Sequence, residues 1–166
     1  MEATNIQKKL IETIRKFDTV MVTTTADNGT MHARPMAVAE VDEDGEIWFV
    51  TSKDSGKCEE VKADARAVVT AQEAGRYCSL SGRIDVISDP DRVRALWKEP
   101  WKVWFPQGKE DPSIVLMRLR PEIGEYWDSR GTQGVRYLFE AARALLNGES
   151  ADERVQDPKQ HAKVAL

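Results

Sequence analysis

The chain has 166 residues, enough for one domain of ordinary size with its own core, and its 41% hydrophobic and 31% charged residues exclude a disordered composition. The net charge of −4, with both signs interspersed, argues against a nucleic-acid surface but leaves room for a local cationic pocket. Cys58 and Cys78 form no C-x-x-C, no apolar run approaches the ~20 residues of a membrane helix, and the start is not a charged-then-apolar leader; free thiols in the cytoplasm are the expectation, with a disulfide left open.

Ile6, Leu10, Ile11, Ile14 and Phe17 recur at helical spacing and predict a helix over residues 4–16 that packs on the body. Residues 19–25 are rich in β-branched side chains and read as a strand. Asp27-Asn28-Gly29 then predicts a hairpin, because Asn-Gly tolerates positive φ, and a second strand runs from Met31 to about Val41. Asp44-Gly45 makes another turn into a strand over 46–51, so the first three strands are expected as an antiparallel meander. Ser55 is placed to cap a short helix ending near Ala63.

Strands over 66–71 and 77–87 flank a turn at Ala74-Gly75-Arg76, and Ser88-Asp89-Pro90 opens a helix with Val93, Leu96 and Trp97 facing inward. Residues 99–112 read as irregular, with Pro100, Pro106, Gly108 and Pro112, before a sixth strand over 113–119 and a seventh over 123–128. Val135, Leu138, Phe139, Ala142, Leu145 and Leu146 mark a C-terminal amphipathic helix ended by Asn147-Gly148. This predicts one domain over residues 1–148 and a polar tail over 149–166. The fold class expected is mainly β with flanking helices (α+β): six to seven antiparallel strands in a small closed or split β-barrel. No G-x-G-x-x-G fingerprint of a dinucleotide-binding fold occurs.

The residues that carry chemistry cluster between 32 and 57. Arg34-Pro35 lies within a strand, where Pro donates no ladder hydrogen bond and so belongs on an edge or at a bulge. An open edge frees backbone groups for a ligand; the plainer alternative is a simple edge strand with a solvated Arg. Thr51-Ser52 ends the next strand, and Ser55 and Lys57 follow at a helix start. Hydroxyls, backbone N–H groups and a cation at that position suit a phosphate. Each alone is equally an ordinary cap or a solvated lysine, and the Walker spacing is missing.

Of the five tryptophans, Trp48 and Trp97 read as core. Trp101, Trp104 and Phe105 share a Pro-rich loop where three large rings are costly to expose, so that loop is expected against a partner subunit or a cofactor. Two histidines, His32 and His161, are too few for a metal cluster, and no acid–base pair or nucleophile stands out.

In order, His-x-Arg-Pro-Met (32–36), Trp-Phe-Val-Thr-Ser-x-x-Ser-x-Lys (48–57), Ser-Gly-Arg (81–83), Trp-Phe-Pro-x-Gly-Lys-x-Asp-Pro (104–112) and Glu-Tyr-Trp-Asp (125–128) resemble the general stress protein branch of the FMN-binding split-barrel proteins related to pyridoxamine 5′-phosphate oxidase. The resemblance covers roughly residues 5–130. It implies a homodimer with FMN in the subunit interface, FAD or a deazaflavin remaining open. By position it implies Arg34, Pro35 and Met36 lining the flavin, and Val50, Thr51 and Ser52 meeting its ring and ribityl chain. Ser55 and Lys57 would bind the phosphate, and Trp104 would stand over the cofactor.

The chain departs from the oxidases at three places. Ala39 stands where they carry a lysine, Tyr77 where they carry a glutamine, and their Trp- and Arg-rich terminal segment is absent. Pyridoxamine phosphate oxidation is therefore not expected. The functional alternatives are a flavin-dependent oxidoreductase of an unidentified small molecule, a flavin-binding or sequestering protein without turnover, and a cofactor-free interaction module using the 101–106 loop.

Overall fold

The computed structural model describes residues 2–128 and 161–166. The apolar stripe of the first segment forms α1 (Glu2–Ile14), with Leu10 and Ile14 fully buried and Phe17 packed just beyond its end. β1 (Thr19–Thr25) and β2 (Met31–Ala37) pair as a hairpin. In its turn, Gly29 has φ 82° and the Asn28 side chain accepts from the Thr30 N–H at 2.9 Å, as its sequence predicts. β3 (Glu40–Val41) and β4 (Ile47–Ser52) form the second hairpin. Its turn is held by the Asp42 carboxylate, which accepts from the N–H groups of Asp44 and Glu46.

α2 (Gly56–Ala63), β5 (Arg66–Glu73), β6 (Arg76–Ile87) and α3 (Pro90–Leu96) follow. Asp89 caps α3 by accepting from the Arg92 N–H at 2.9 Å, with Pro90 in the first turn. The stretch read as irregular contains two 3₁₀ turns, Glu99–Val103 and Gly108–Glu110, before β7 (Ile114–Asp128) and β8 (His161–Ala165).

All strand pairs are antiparallel, in the order β2-β1-β5-β6-β7-β4-β3, with β8 also paired to β7. The expected three-strand meander does not form. β2 ends one side of the sheet, while the β3–β4 hairpin ends the other, β4 pairing with β7. Val38 and Ala39 carry the chain between the two ends: the Val38 N–H donates to Asp18 O beside β1, and the Ala39 N–H to Trp48 O on β4. The sheet thus curls into a split barrel whose seam lies between β2 and β4. Turn residues fix each hairpin locally; which strand lies outside it is a non-local choice.

Two further expectations are corrected. The strands placed over 113–119 and 123–128 are one strand of 15 residues. Pro121 does not end it, because a bulge opposite Ser81/Gly82 accommodates the extra residue. Gly82 makes that possible: a Cβ there would lie 2.1 Å from Arg120 O. The last residues of the expected polar tail return as β8, paired with Ile123–Trp127, and Val164 and Leu166 pack on the main core. The predicted helix over 135–146 lies outside the described residues.

The main core fills the barrel with Leu10, Val22, Phe49, Val69, Leu80 and Tyr126 among others. A second cluster (Val93, Leu96, Phe105, Ile114 and Leu116) lies beneath α3, with Trp48 and Trp97 partly buried against it as expected. That cluster anchors the 99–105 segment beside the seam. Among the described residues no helix is long and apolar enough to cross a membrane.

Candidate functional site

The sheet stays open at the seam: β2 ends it on one side, and on the other the short β3 pairs only with Ile47 and Trp48, beyond which residues 49–52 of β4 face the seam. A cavity of about 430 Å³ opens there, within the ~300–1,000 Å³ usual for small-molecule sites. Pro35, Met36 and Ala37 line it from the end of β2, and Val50, Thr51 and Ser52 from the end of β4. Ser55 and Lys57 reach it from the start of α2, and Trp101, Trp104 and Phe105 from the aromatic segment. β4 and α2 supply hydroxyls and a cation; β2 and the aromatic segment supply apolar surface.

The turn between β4 and α2 is tight. The Ser55 N–H donates to Ser52 O at 3.1 Å and the Cys58 N–H to Ser55 O at 2.9 Å. Ser55 occupies the cap position in extended backbone, but its hydroxyl makes no capping bond and lies 3.4 Å from Cys58 Sγ. Ser55 thus leaves the start of α2 without a side-chain cap, and a helix start of that kind favours an anion. Lys57 stands on this first turn. Burial holds its ammonium below the usual lysine value, and the positive charge of Arg34 adds to that, against the opposing effects of Cys58 and Glu60. A bound anion would offset both unfavourable effects.

Of the residues singled out by sequence, Pro35, Met36, Val50, Thr51, Ser52, Ser55, Lys57 and Trp104 come together around this one cavity. Arg34 does not line it. Its guanidinium donates to Glu60 Oε2 at 2.8 Å and to Thr24 Oγ1. Thr24 in turn donates to Glu60, and His32 Nδ1 lies 2.7 Å from Glu60 Oε1. These donors, Thr24 foremost, hold the Glu60 carboxyl at about 2. Arg34 is drawn away from the cavity by its two partners, Thr24 on β1 and Glu60 on α2.

Ala37, Trp101 and Phe105 are wall residues not chosen from sequence. In the sequence Trp101 and Phe105 stand out only as members of the aromatic loop, and Ala37 carries no signal beyond its place after Met36. Trp101 is 5% exposed and makes an edge contact with Trp97 at 5.8 Å, so the protein covers this ring itself. Trp104 is 64% exposed and Val103 79%, leaving apolar surface at the cavity rim of the single chain.

Among the described residues that line the cavity there is no carboxylate and no imidazole. Both cysteines are free and buried, and burial pushes the Cys78 thiol up to about 12. Among the described residues no group of three His, Cys, Asp or Glu side chains could hold a metal ion.

The family model described as pyridoxamine 5′-phosphate oxidase like matches residues 5–152. The chain is 28% identical over 150 residues to protein bli-3 of Neurospora crassa, covering 84% of this chain and 71% of that one. A candidate general stress protein 26 from Jannaschia sp. CCS1 superimposes with a TM-score of 0.71 at 25% identity, over 98% of this chain and 99% of the other. The general stress FMN/FAD binding protein of Xanthomonas citri gives 0.65 at 28% identity, over 78% and 92%.

Proposed function

Because the chain belongs to the pyridoxamine 5′-phosphate oxidase-like family, we propose that it is a flavoprotein and that FMN is the flavin held at the β2–β4 seam. The observation that carries this reading is the donor set at the start of α2: an uncapped helix N-terminus with Ser55, Ser52 and a half-buried Lys57 facing a cavity of cofactor size. A dianion leaving water needs charge-assisted donors to offset its desolvation, and these residues fit a phosphate. Pro35, Met36, Val50 and Trp104 would hold the flat apolar part, and Thr51 and Ser52 would hydrogen-bond polar edges or the ribityl chain.

The flavin, when bound, supplies the redox chemistry. The chain binds it, shields one side from water with the Pro35–Ala37 wall, and neutralises its phosphate through Lys57. Electron exchange with a small molecule is part of the proposal, as is assembly into a homodimer that covers Trp104 and Val103.

Mass spectrometry of the small molecule released from native protein, with titrations of FMN, FAD and riboflavin into stripped protein, tests the reading. Release of FMN, and tighter binding of FMN than of the other two, is expected. Protein that is colourless and fails to bind added FMN removes the proposal. Reduction of the bound flavin by NADH or NADPH, followed by reoxidation by a small acceptor, separates an oxidoreductase from a carrier.

A further inference from the structure

α2 is a weakly anchored element. It is eight residues long, and only Cys58 and Val61 are buried on it. Its third attachment is polar. Glu60 lies one turn beyond Lys57, its side chain 14% exposed, and its carboxylate accepts from Thr24 on β1 and Arg34 on β2, with His32 of β2 on its other oxygen. Thr24 is itself only 1% exposed and accepts from Arg34 while donating to Glu60, so the three groups form a closed cluster. One carboxylate therefore ties the helix that carries Ser55 and Lys57 to the strand that carries Pro35 and Met36.

The cluster also sets the charge at the site. Arg34 spends its guanidinium on Glu60 and lies outside the cavity, leaving Lys57 as the cation among the described wall residues. The groups that act on Lys57 are Cys58 and Glu60 from its own helix and Arg34 from β2.

We infer that Glu60 is a positioning residue: by joining α2 to β1 and β2 and pairing with Arg34, it fixes Lys57 and the α2 amides as the phosphate-binding corner of the cavity. This rests on the flavin reading for the identity of the phosphate, though not for the anchoring itself. Glu60 is negative and close to where a dianion would sit. As a mere neighbour it would weaken FMN binding, and removing its charge would tighten it. As a positioning residue, its removal has the opposite sign.

The experiment compares Glu60→Gln and Glu60→Asp with the parent protein. FMN and riboflavin are titrated into each from pH 6 to 10, and Lys57 is followed in the unliganded proteins by NMR of isotopically methylated lysine. In Glu60→Gln, FMN affinity is expected to fall about tenfold, the worth of roughly one hydrogen bond to a charged group, with little change for riboflavin. The pH at which Lys57 loses its proton moves down, and the upper limit of FMN binding moves with it. Glu60→Asp keeps the charge and restores the Lys57 titration to near that of the parent.

An unchanged ratio of FMN to riboflavin affinity, or tighter FMN binding in Glu60→Gln, overturns the inference. A parent protein that binds neither flavin sinks the flavin reading alone. The Lys57 titration and amide exchange along α2 in the free protein still decide the role of Glu60, since exchange should speed up in Glu60→Gln. Unaltered exchange together with an unaltered titration overturns it.

Discussion

Lys57 is the residue on which the phosphate reading turns. Hydrogen bonds to charged groups contribute roughly 1.5–3 kcal/mol, so Lys57→Ala should weaken FMN binding roughly 10- to 150-fold. Riboflavin lacks the phosphate, and its weaker binding should change far less; equal losses for both ligands would show that Lys57 is not a phosphate ligand. Glu60 makes a separate prediction about stability. Its carboxyl is depressed from an ordinary 4.5 to about 2 by Thr24, His32 and Arg34. A depressed acid stabilises the fold above its unfolded value and loses that contribution as pH falls through the folded one. The stability of the parent protein relative to Glu60→Gln should therefore be greatest above about pH 4.5 and vanish toward pH 2, with the difference at neutral pH about 1–2 kcal/mol. Denaturant titrations at pH 7, 4 and 2.5 measure it; a constant difference across that range refutes the assignment.

Among the elements, β7 concentrates the constraints. A methyl at position 82 would meet Arg120 O at 2.1 Å, and one at 124 would meet Leu10 Cδ2 at 2.0 Å. The first obstacle is backbone and the second a side chain on α1 that can turn aside. Gly82→Ala is accordingly expected to cost more than Gly124→Ala, about 3 kcal/mol against 1–2 kcal/mol by thermal or urea unfolding. The sequence makes the local features of these elements legible: Asn28-Gly29 and Asp44-Gly45 name their turns, Asp89-Pro90 names a helix start, and the spacing of Leu10, Ile14 and Phe17 names the buried face of α1. Three features were not legible because none is local. Pro121 reads as a strand break until Gly82 on another strand accommodates it in a bulge. Residues 161–165 read as tail because their partner is the backbone of β7. The engagement of Arg34 could not be read locally, because Thr24 and Glu60, its partners, lie on other elements. Thr51 to Lys57, contiguous and placed on strand end, turn and helix start, needed no distant partner, and most of the cavity's polar wall could be read directly.

For the whole molecule, Trp104 and Val103 leave apolar surface exposed at the cavity rim. A second copy of the chain is the expected cover, and light scattering at micromolar concentration should give about twice the 18.7 kDa chain mass. A clean monomer with FMN still bound contradicts it. Pyridoxamine phosphate should be oxidised little or not at all. Ala39 packs beside Trp48 against the second core, and Tyr77 stands on β6 opposite Trp127, so neither brings a polar group to the cavity wall. Peroxide release at the rate of a dedicated oxidase would overturn that.

The crossing at Val38–Ala39 bears on how the chain reaches this state. The hairpins β1–β2, β3–β4 and β5–β6 can form early from near neighbours, but β4 must find β7, far along the chain, before the seam exists. Pairings of such long separation are slow. A flavin added during refolding should thus be captured only in the last kinetic phase, after most of the strand signal has developed, and its fluorescence would time the moment at which the two ends of the sheet meet.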